Sequence, residues 1–414
     1  MCLLWVVVGP VVEHLAGHRP AVPAVRHAAR ARLSVGIGLP VTGHDEEMAA
    51  PLKDLFDRDV VETLAERFTQ RSPGFDADRF VADLLTEFPE LELKDRINLV
   101  ADRIAADLPG AYPEALALVV EVSASGIDGF AGWPLCSFVE RHGFDWPDES
   151  LDAMTTLTQT MSCEFAIRPF LDHHLDRTRV QLRAWTEHPV DTVRRLPSEG
   201  TRPLLPWGPR VAALTDDPQI GLELLTALRH DESEDVRRSV ANHLNDVAKA
   251  HPDLVVETLG AWLTEPQPVD RRMATHALRT LVKQGDTGAL RVLGFTTEPE
   301  VEVNRFSCAP HLFELGTQIE LDAEFTSTAN SEQLLVIDFV IHHVNATGGT
   351  SPKVFKWTTQ SVSPGECVEL CKRRLIQTAS TRRYHAGVHR VDLQIAGKVL
   401  ATTQFRLADS SPPR

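Results

Sequence analysis

Two short groups of residues hold the side chains best suited to chemistry. In RRLPSEGTRPLLPW, which starts at Arg194, the residues Arg195, Glu199 and Arg202 recur at i, i+4, i+7. On a helix that rhythm sets a carboxylate between two guanidiniums on one face, and Trp207 follows shortly after. In DVRRSVANHLNDVAKAHP, which starts at Asp235, the residues Arg238, Asn242, Asp246 and Lys249 keep the same rhythm. They put a guanidinium, an amide, a carboxylate and an ammonium in a single row, the mixture that a phosphate backbone and a small site would use. Taken alone, the second row is also what a solvated helix back carries. The first group weighs against that, because a carboxylate flanked by cations, with an indole nearby, recurs one structural unit away.

The elements that must carry these groups are helices. Val236, Val240, Leu244 and Val247 form an apolar stripe about half a turn from the polar row, the mark of a helix with one buried face. Each group opens on the same triplet, Val193-Arg194-Arg195 and Val236-Arg237-Arg238, and Val269-Asp270-Arg271-Arg272 follows. The copies lie 43 and 34 residues apart, close to the period of stacked helical-pair repeats of the HEAT and armadillo kind. The helical pattern runs from Pro51 to about Thr296. It starts with Leu55, Val60, Val61, Leu64 and Phe68, continues through Phe80, Leu84, Leu85 and Phe88 to a stop at Pro89, and includes the stripe Ile97, Val100, Ala101, Ile104. SGIDGFAGW, from Ser125, lacks the Lys-Ser/Thr ending of a phosphate loop and reads as an interhelical turn.

Near Glu298-Pro299 the period changes from helix to strand. Leu321, Ala323 and Phe325 alternate, as do Leu335, Ile337, Phe339 and Ile341. Val391, Leu393 and Ile395 follow, then an Ala396-Gly397 turn, then Val399, Ala401, Thr403 and Phe405. A hundred or so residues of short alternating strands indicate an immunoglobulin-like β-sandwich. The expected architecture is multidomain: an all-α HEAT-like repeat solenoid over 48–297, then a C-terminal immunoglobulin-like β-sandwich over 298–409. Residues 1–47 are read as a disordered extension or a product of an early start codon, since their apolar run begins without the basic region of a secretory signal.

At 43% hydrophobic and 24% charged, with no run of eighteen apolar residues, the composition is that of a soluble globular protein. The cysteines Cys2, Cys136, Cys163, Cys308, Cys367 and Cys371 are scattered, and no second close pair completes a zinc site with Cys367 and Cys371. Free thiols and a cytoplasmic location are expected. The pairs His173-His174 and His342-His343 point their neighbours in different directions, which argues against a shared ion, so no metal and no cofactor is expected. The net charge of −16 repels DNA, but the excess is local: residues 45–114 carry −10, residues 353–406 carry +7, and 177–251 balance. A basic sandwich beside a neutral middle segment can still grip a duplex.

Four stretches in this order, MAAPLKDLF from Met48, SCEFAIRPF from Ser162, SEGTRPLLPW from Ser198 and RRSVANHLNDVAKAHPDLV from Arg237, carry a resemblance. They resemble the AlkC-type alkylpurine DNA glycosylases of the HEAT-like AlkC/AlkD superfamily, from Met48 to about Leu407. The resemblance implies that Glu164, Glu199 and Asp246 are the catalytic acids and Trp207 the active-site tryptophan, with Glu164 expected on the helix before the first group. It also implies a duplex DNA partner, release chiefly of 3-methyladenine, and access to the lesion without flipping the base.

The chemistry fits those residue types. A base alkylated at a ring nitrogen is already cationic and leaves with little protonation. Negative charge beside the oxocarbenium-like sugar and a positioned water supply the rest, and an indole face attracts a cation. The plainer reading pairs Glu164 with Arg168, Glu199 with Arg195 or Arg202, Asp246 with Lys249 or Arg238, and packs Trp207 between repeats. Arg195, Arg202, Arg238, Asn242 and Lys249, with Arg382 and Arg383 in the basic segment, are the candidate DNA contacts. The chain is read as a monomer with no membrane partner. The competing reading is a non-catalytic HEAT-repeat scaffold binding DNA or protein.

Overall fold

The computed structural model describes residues 52–127, 129–377 and 384–408. Residues 1–47, and with them the expected extension, lie outside the described residues, as do Arg382 and Arg383. Among the described residues sixteen α-helices precede eight β-strands, and they gather into two compact units that divide between Ile220 and Gly221.

In the first unit the apolar periods become buried faces. Helix Arg58–Thr69 buries Val61, Leu64, Ala65 and Phe68, and its N-terminus is capped by the Asp57 carboxylate, which accepts from the Val60 amide. Helix Ala77–Glu87 buries Phe80 and Leu84 and gives way at Pro89 to a short 3-10 turn, Phe88–Glu90. Helix Leu93–Asp107 buries Ile97, Val100, Ala101 and Ile104. It packs against helix Trp133–His142, where Ser137 Oγ donates to Asn98 Oδ1 at 2.9 Å. SGIDGFAGW contributes the 3-10 turn Gly129–Gly132 ahead of that helix.

In the second unit helix Glu234–Val247 buries Val236, Val240, Leu244 and Val247, as the stripe requires. They join one core with Val255 and Leu259 of helix Pro252–Thr264 and Met273 and Ala274 of helix Arg271–Ala277. After the last helix, Thr287–Val292, come β1 (Val301–Ala309), β2 (Leu312–Phe313), β3 (Thr317–Ser327), β4 (Gln333–Val344), β5 (Thr350–Val362), β6 (Cys367–Ile376), β7 (Gly387–Ile395) and β8 (Lys398–Leu407). They form one sheet in the order β1-β3-β6 and another in the order β2-β8-β7-β4-β5. Ile319, Leu321, Ala323 and Phe325 of one sheet share a core with Leu335, Ile337, Phe339 and Ile341 of the other, so the alternation read in the sequence is the sandwich interior. The β7–β8 hairpin turns on Ala396 and Gly397, both at positive φ (49° and 80°). This turn also joins the sandwich to the helices of its unit. Val336 and Ala396 enter the helical core, Gln394 Nε2 donates to the Lys283 carbonyl at 2.9 Å, and a Cβ on Gly397 would stand 2.1 Å from Gly285 Cα.

The repeated Val-Arg-Arg triplet has a structural cause. Val193 and Val236 are fully buried. The following arginine turns back to the loop before its helix: Arg194 Nη1 donates to the carbonyls of His188 and Pro189, and Arg237 Nη1 to those of Asp231 and Glu232. The third copy departs from this. Asp270 intervenes and caps its own helix by accepting from the Arg272 amide, and Arg271 bonds forward to the Leu293 carbonyl.

Candidate active site

Helix Asp191–Gly200 is short and contains Pro197, which removes one amide from the intrahelical ladder. The chain leaves the helix at Gly200, where a Cβ would stand 2.6 Å from Ile167 Cγ2. The missing side chain lets the turn at 164–167 press against the helix end, so the sequence Glu199-Gly200 and the motif SCEFAIRPF meet there. Glu164 lies on that turn and not on a helix, contrary to the sequence expectation. The Pro169 ring, at the second position of helix Arg168–His173, suits a helix that begins only after the turn.

The acids are held by arginines. Glu199 Oε1 accepts from Arg202 Nη1 at 2.6 Å, and Glu199 Oε2 lies 3.3 Å from Arg195 Nη2. Arg195 Nη1 also reaches Glu164 Oε2 at 3.2 Å, and Ser162 Oγ donates to the same oxygen at 2.8 Å. One guanidinium therefore bridges two carboxylates. Burial pushes the Glu164 carboxyl above the usual carboxylate range; Arg195 opposes the shift and the Glu199 charge adds to it. The Glu199 and Arg202 side chains are only 6% and 7% exposed. A carboxylate buried this deeply needs a counter-charge buried with it, and Arg202, expected from the sequence as a DNA contact, supplies it.

Arg168 does not pair with Glu164. Its buried guanidinium donates to the carbonyls of Pro209 (2.6 Å), Gly200 (2.8 Å) and Arg202 (3.1 Å), and so gathers the two ends of the loop that carries Trp207. Burial pulls its pKa down to about 10, with Arg210 as the next cause. Trp207 itself has φ 64° and is 52% exposed. A left-handed backbone costs a bulky L-residue on the order of 1–2 kcal/mol, so its neighbours must hold it there. Its indole is near-parallel to Trp133, 6.3 Å between ring centroids, and Trp133 is near-parallel to Phe165 at 5.5 Å. Phe165 directly follows Glu164, so the ring pile adjoins the acid turn. Lys94 Nζ donates to the Trp207 carbonyl at 3.2 Å and stands 5.3 Å from the Phe165 centroid.

The structure thus brings Glu164, Arg195, Glu199 and Arg202 into one network in the first unit, with Trp207 on the neighbouring ring pile. Ser162, Trp133 and Lys94 were not singled out in the sequence, and Arg168 was named only as a pairing partner for Glu164. Ser162 stands two residues before Glu164 in SCEFAIRPF, and its place in that motif is the signal that could have found it. The other candidates belong to the second unit. Asp246, in the last turn of helix Glu234–Val247, is 3% exposed in its side chain, and Lys249 Nζ stands 3.3 Å from its Oδ1. Arg238 is exposed and pairs with Glu234 and Asp235 in its own first turn. Asn242 Oδ1 accepts from His276 Nε2 (2.8 Å) and Arg279 Nη2 (3.0 Å), which ties it to the next helices. The carbonyl oxygen of Asn242 is thereby committed to the stacking of the repeat.

Residues 302–409 match the family described as the C-terminal Ig-like domain of the uncharacterised protein YhaZ. The chain is 34% identical over 359 residues to the uncharacterized protein YhaZ of Bacillus subtilis (strain 168), covering 86% of this chain and 99% of that one. Among solved structures it is similar to the Pseudomonas fluorescens alkylpurine DNA glycosylase AlkC bound to DNA containing an abasic site analog. The TM-score is 0.83 and the identity 35%, over 87% of this chain and 100% of that one.

Proposed function

The chain belongs to the family of the alkylpurine DNA glycosylase AlkC, and from that premise we propose that it hydrolyses the N-glycosidic bond of cationic N-alkylated bases in duplex DNA, chiefly 3-methyladenine. The observation that carries the proposal is the pair of carboxylates bridged by Arg195, beside a half-exposed, strained indole. A scaffold gains nothing from buried acids at a phosphate-binding surface, where they weaken affinity.

In the proposed reaction the C1′–N bond breaks with its electron pair moving to the base, which leaves neutral because it began as a cation. The sugar becomes oxocarbenium-like, and water adds to C1′. Glu164, whose proton affinity is raised by burial, takes the proton of that water. Glu199, held by two guanidiniums, supplies fixed negative charge, and Asp246, in the second unit, is the further acid that the family resemblance implies. The open Trp207 face offers a surface to a sugar that is still in the duplex, in keeping with a lesion read without flipping. Arg195, Arg238 and Lys249 are the proposed phosphate contacts, and the enzyme is proposed to act as a monofunctional monomer without a cofactor.

The deciding measurement is base release from duplex DNA treated with a methylating agent, analysed for free 3-methyladenine and for abasic sites without strand cleavage. Release by the wild type and its collapse in Glu199→Gln are expected. Tight DNA binding with no release from any methylated duplex would favour the scaffold.

A further inference from the structure

Lys94 lies 113 residues before Trp207 in the sequence, on helix Leu93–Asp107, yet its ammonium donates to the Trp207 carbonyl at 3.2 Å. The same ammonium stands over the ring of Phe165, the residue after Glu164. A third group faces it electrostatically: the Glu140 carboxyl, on helix Trp133–His142, is raised by burial and drawn back by Lys94 and Arg141. Lys94 thus meets the helix that presents Trp133, the turn that presents Glu164, and the loop that presents Trp207.

The loop has two kinds of anchor. Arg168 gathers its ends through the carbonyls of Gly200, Arg202 and Pro209. Arg168 does not reach the tip, where Trp207 is the third residue of a turn from Leu205 to Gly208, closed by the Gly208 amide donating to the Leu205 carbonyl at 3.2 Å, with Pro206 ahead of the positive φ. Among the described residues, the hydrogen bond to the Trp207 carbonyl comes from Lys94. Removing it takes away the tie between this turn and helix Leu93–Asp107, which lets the indole move off Trp133.

We propose that Lys94 is a positioning residue for the reaction: by holding the Trp207 carbonyl it fixes the exposed indole on Trp133, beside the turn that carries Glu164. The assignment rests on the reading of Trp207 as part of the active site. A tie of this kind acts on turnover more than on affinity, because a small displacement of a group that meets the reacting sugar costs rate steeply while the DNA contacts elsewhere are unchanged.

The test compares Lys94→Met, which keeps the apolar stem and removes the donor, with Lys94→Arg, which keeps a cationic donor, in the full chain. The near-ultraviolet circular dichroism of the free protein reports the Trp133–Trp207 stack, with Trp207→Phe marking the spectrum in which that stack is lost. Lys94→Met is expected to take on most of the Trp207→Phe spectrum and Lys94→Arg to keep that of the wild type. Single-turnover release of 3-methyladenine is expected to slow on the order of tenfold to a hundredfold in Lys94→Met. Affinity for a duplex with an abasic-site analogue should change by less than about threefold, and Lys94→Arg should recover most of the rate. An unchanged spectrum in Lys94→Met overturns the proposal; with rate and affinity falling together, it would place Lys94 on the phosphate backbone instead. If the wild type releases no base, the activity reading fails by itself, and the spectrum still decides whether Lys94 holds Trp207.

Discussion

Each unit of the molecule buries a carboxylate beside an arginine, and locally the two arrangements look alike. In the first, Glu199 is 6% exposed and lies between Arg195 and Arg202. In the second, Asp392 on β7 is 4% exposed, accepts from Thr402 at 2.9 Å, and lies 2.7 Å from His342 Nε2 and 3.1 Å from Arg390 Nε. Burial and pairing therefore mark neither of them as functional. The difference lies in what surrounds the pair. Arg390 opens to solvent, and the Asp392 cluster ties neighbouring strands of one sheet. Arg195 is shared with a second acid, Glu164, whose carboxyl is pushed upward by burial and further by the Glu199 charge, and the adjoining ring pile ends in a strained, exposed indole. Like charges held close and a backbone held out of its ordinary region cost stability, and sites that keep both are candidates for chemistry.

The sharpest way to break this comparison is to remove one cation from each cluster. Arg202→Met leaves Glu199 buried with half its counter-charge, and urea unfolding should show a loss of about 3–5 kcal/mol. Arg390→Met removes a cation that is 55% exposed and should cost less than about 1 kcal/mol. Equal losses would mean that exposure of the partner does not separate the two clusters.

Removing the acids separates function from structure. Glu199→Gln should slow 3-methyladenine release on the order of a hundredfold or more, the range for losing one preorganised charge, and Asp246→Asn should do the same. Affinity for intact duplex should hold or rise, since a negative group near phosphate is gone. Asp392→Asn should leave release within about threefold, as a residue outside the chemistry must. Single-turnover kinetics beside binding curves would decide, and a slow Asp392→Asn with an unaffected Glu199→Gln would reverse the assignment.

Much of this was legible in the sequence, for a definite reason. Val236, Val240, Leu244 and Val247, and the alternating residues of β3, β4 and β7, are buried because burial follows the period of the element, and the period is written in the order of residues. The acids were found through motifs. What could not be read was direction. Arg195 and Arg202 carry the same group at helical spacing, yet the helix ends at Gly200, so Arg202 lies beyond it and turns inward while Arg195 stays on the helix and bridges two acids. The placement of the Trp207 loop is likewise set by contacts remote in the chain, from Lys94 at its tip and Arg168 at its ends. The Val-Arg-Arg repeat is visible in the sequence, but its cause, the capture of loop carbonyls by Arg194 and Arg237, lies in the fold of the preceding loops.

A smaller effect is expected at the sandwich acid that the helices of its own unit approach. Burial pushes the Asp338 carboxyl up to about 6, with Lys356 and Lys283 opposing. Its folded pKa exceeds its unfolded one, so the associated stability is complete below the ordinary Asp range and lost as pH rises through about 6. A carboxyl held that far above its ordinary range accounts for at most about 3 kcal/mol. The lysines lose a counter-charge in Asp338→Asn, so a gain of about 1–2 kcal/mol at pH 7–8 is expected, vanishing near pH 4. Unfolding midpoints across that range would show it.

Glu164 should give the smallest change in stability and the one that most clearly separates an active site from a structural pair. Its carboxyl is raised by burial first, with Arg195 lowering it and Glu199 raising it further. The folded pKa again lies above the unfolded one, so ionised Glu164 is a net cost to the fold at neutral pH, and that cost disappears as pH falls below the ordinary Glu range. Glu164→Gln keeps the shape and removes the charge, and should therefore raise the unfolding midpoint slightly at pH 7 and not at pH 4. The same substitution should slow base release, because the proposed proton acceptor is gone. In the wild type, release should decline as pH is lowered through the raised Glu164 pKa, and the Gln variant should lack that limb. A residue kept only for packing would show the opposite combination, a less stable Gln variant with an unaltered rate and pH profile. Gain in stability with loss of turnover is the signature of a charge retained for the reaction at the expense of the fold, and Asp392, fully partnered within its sheet, should show no such exchange.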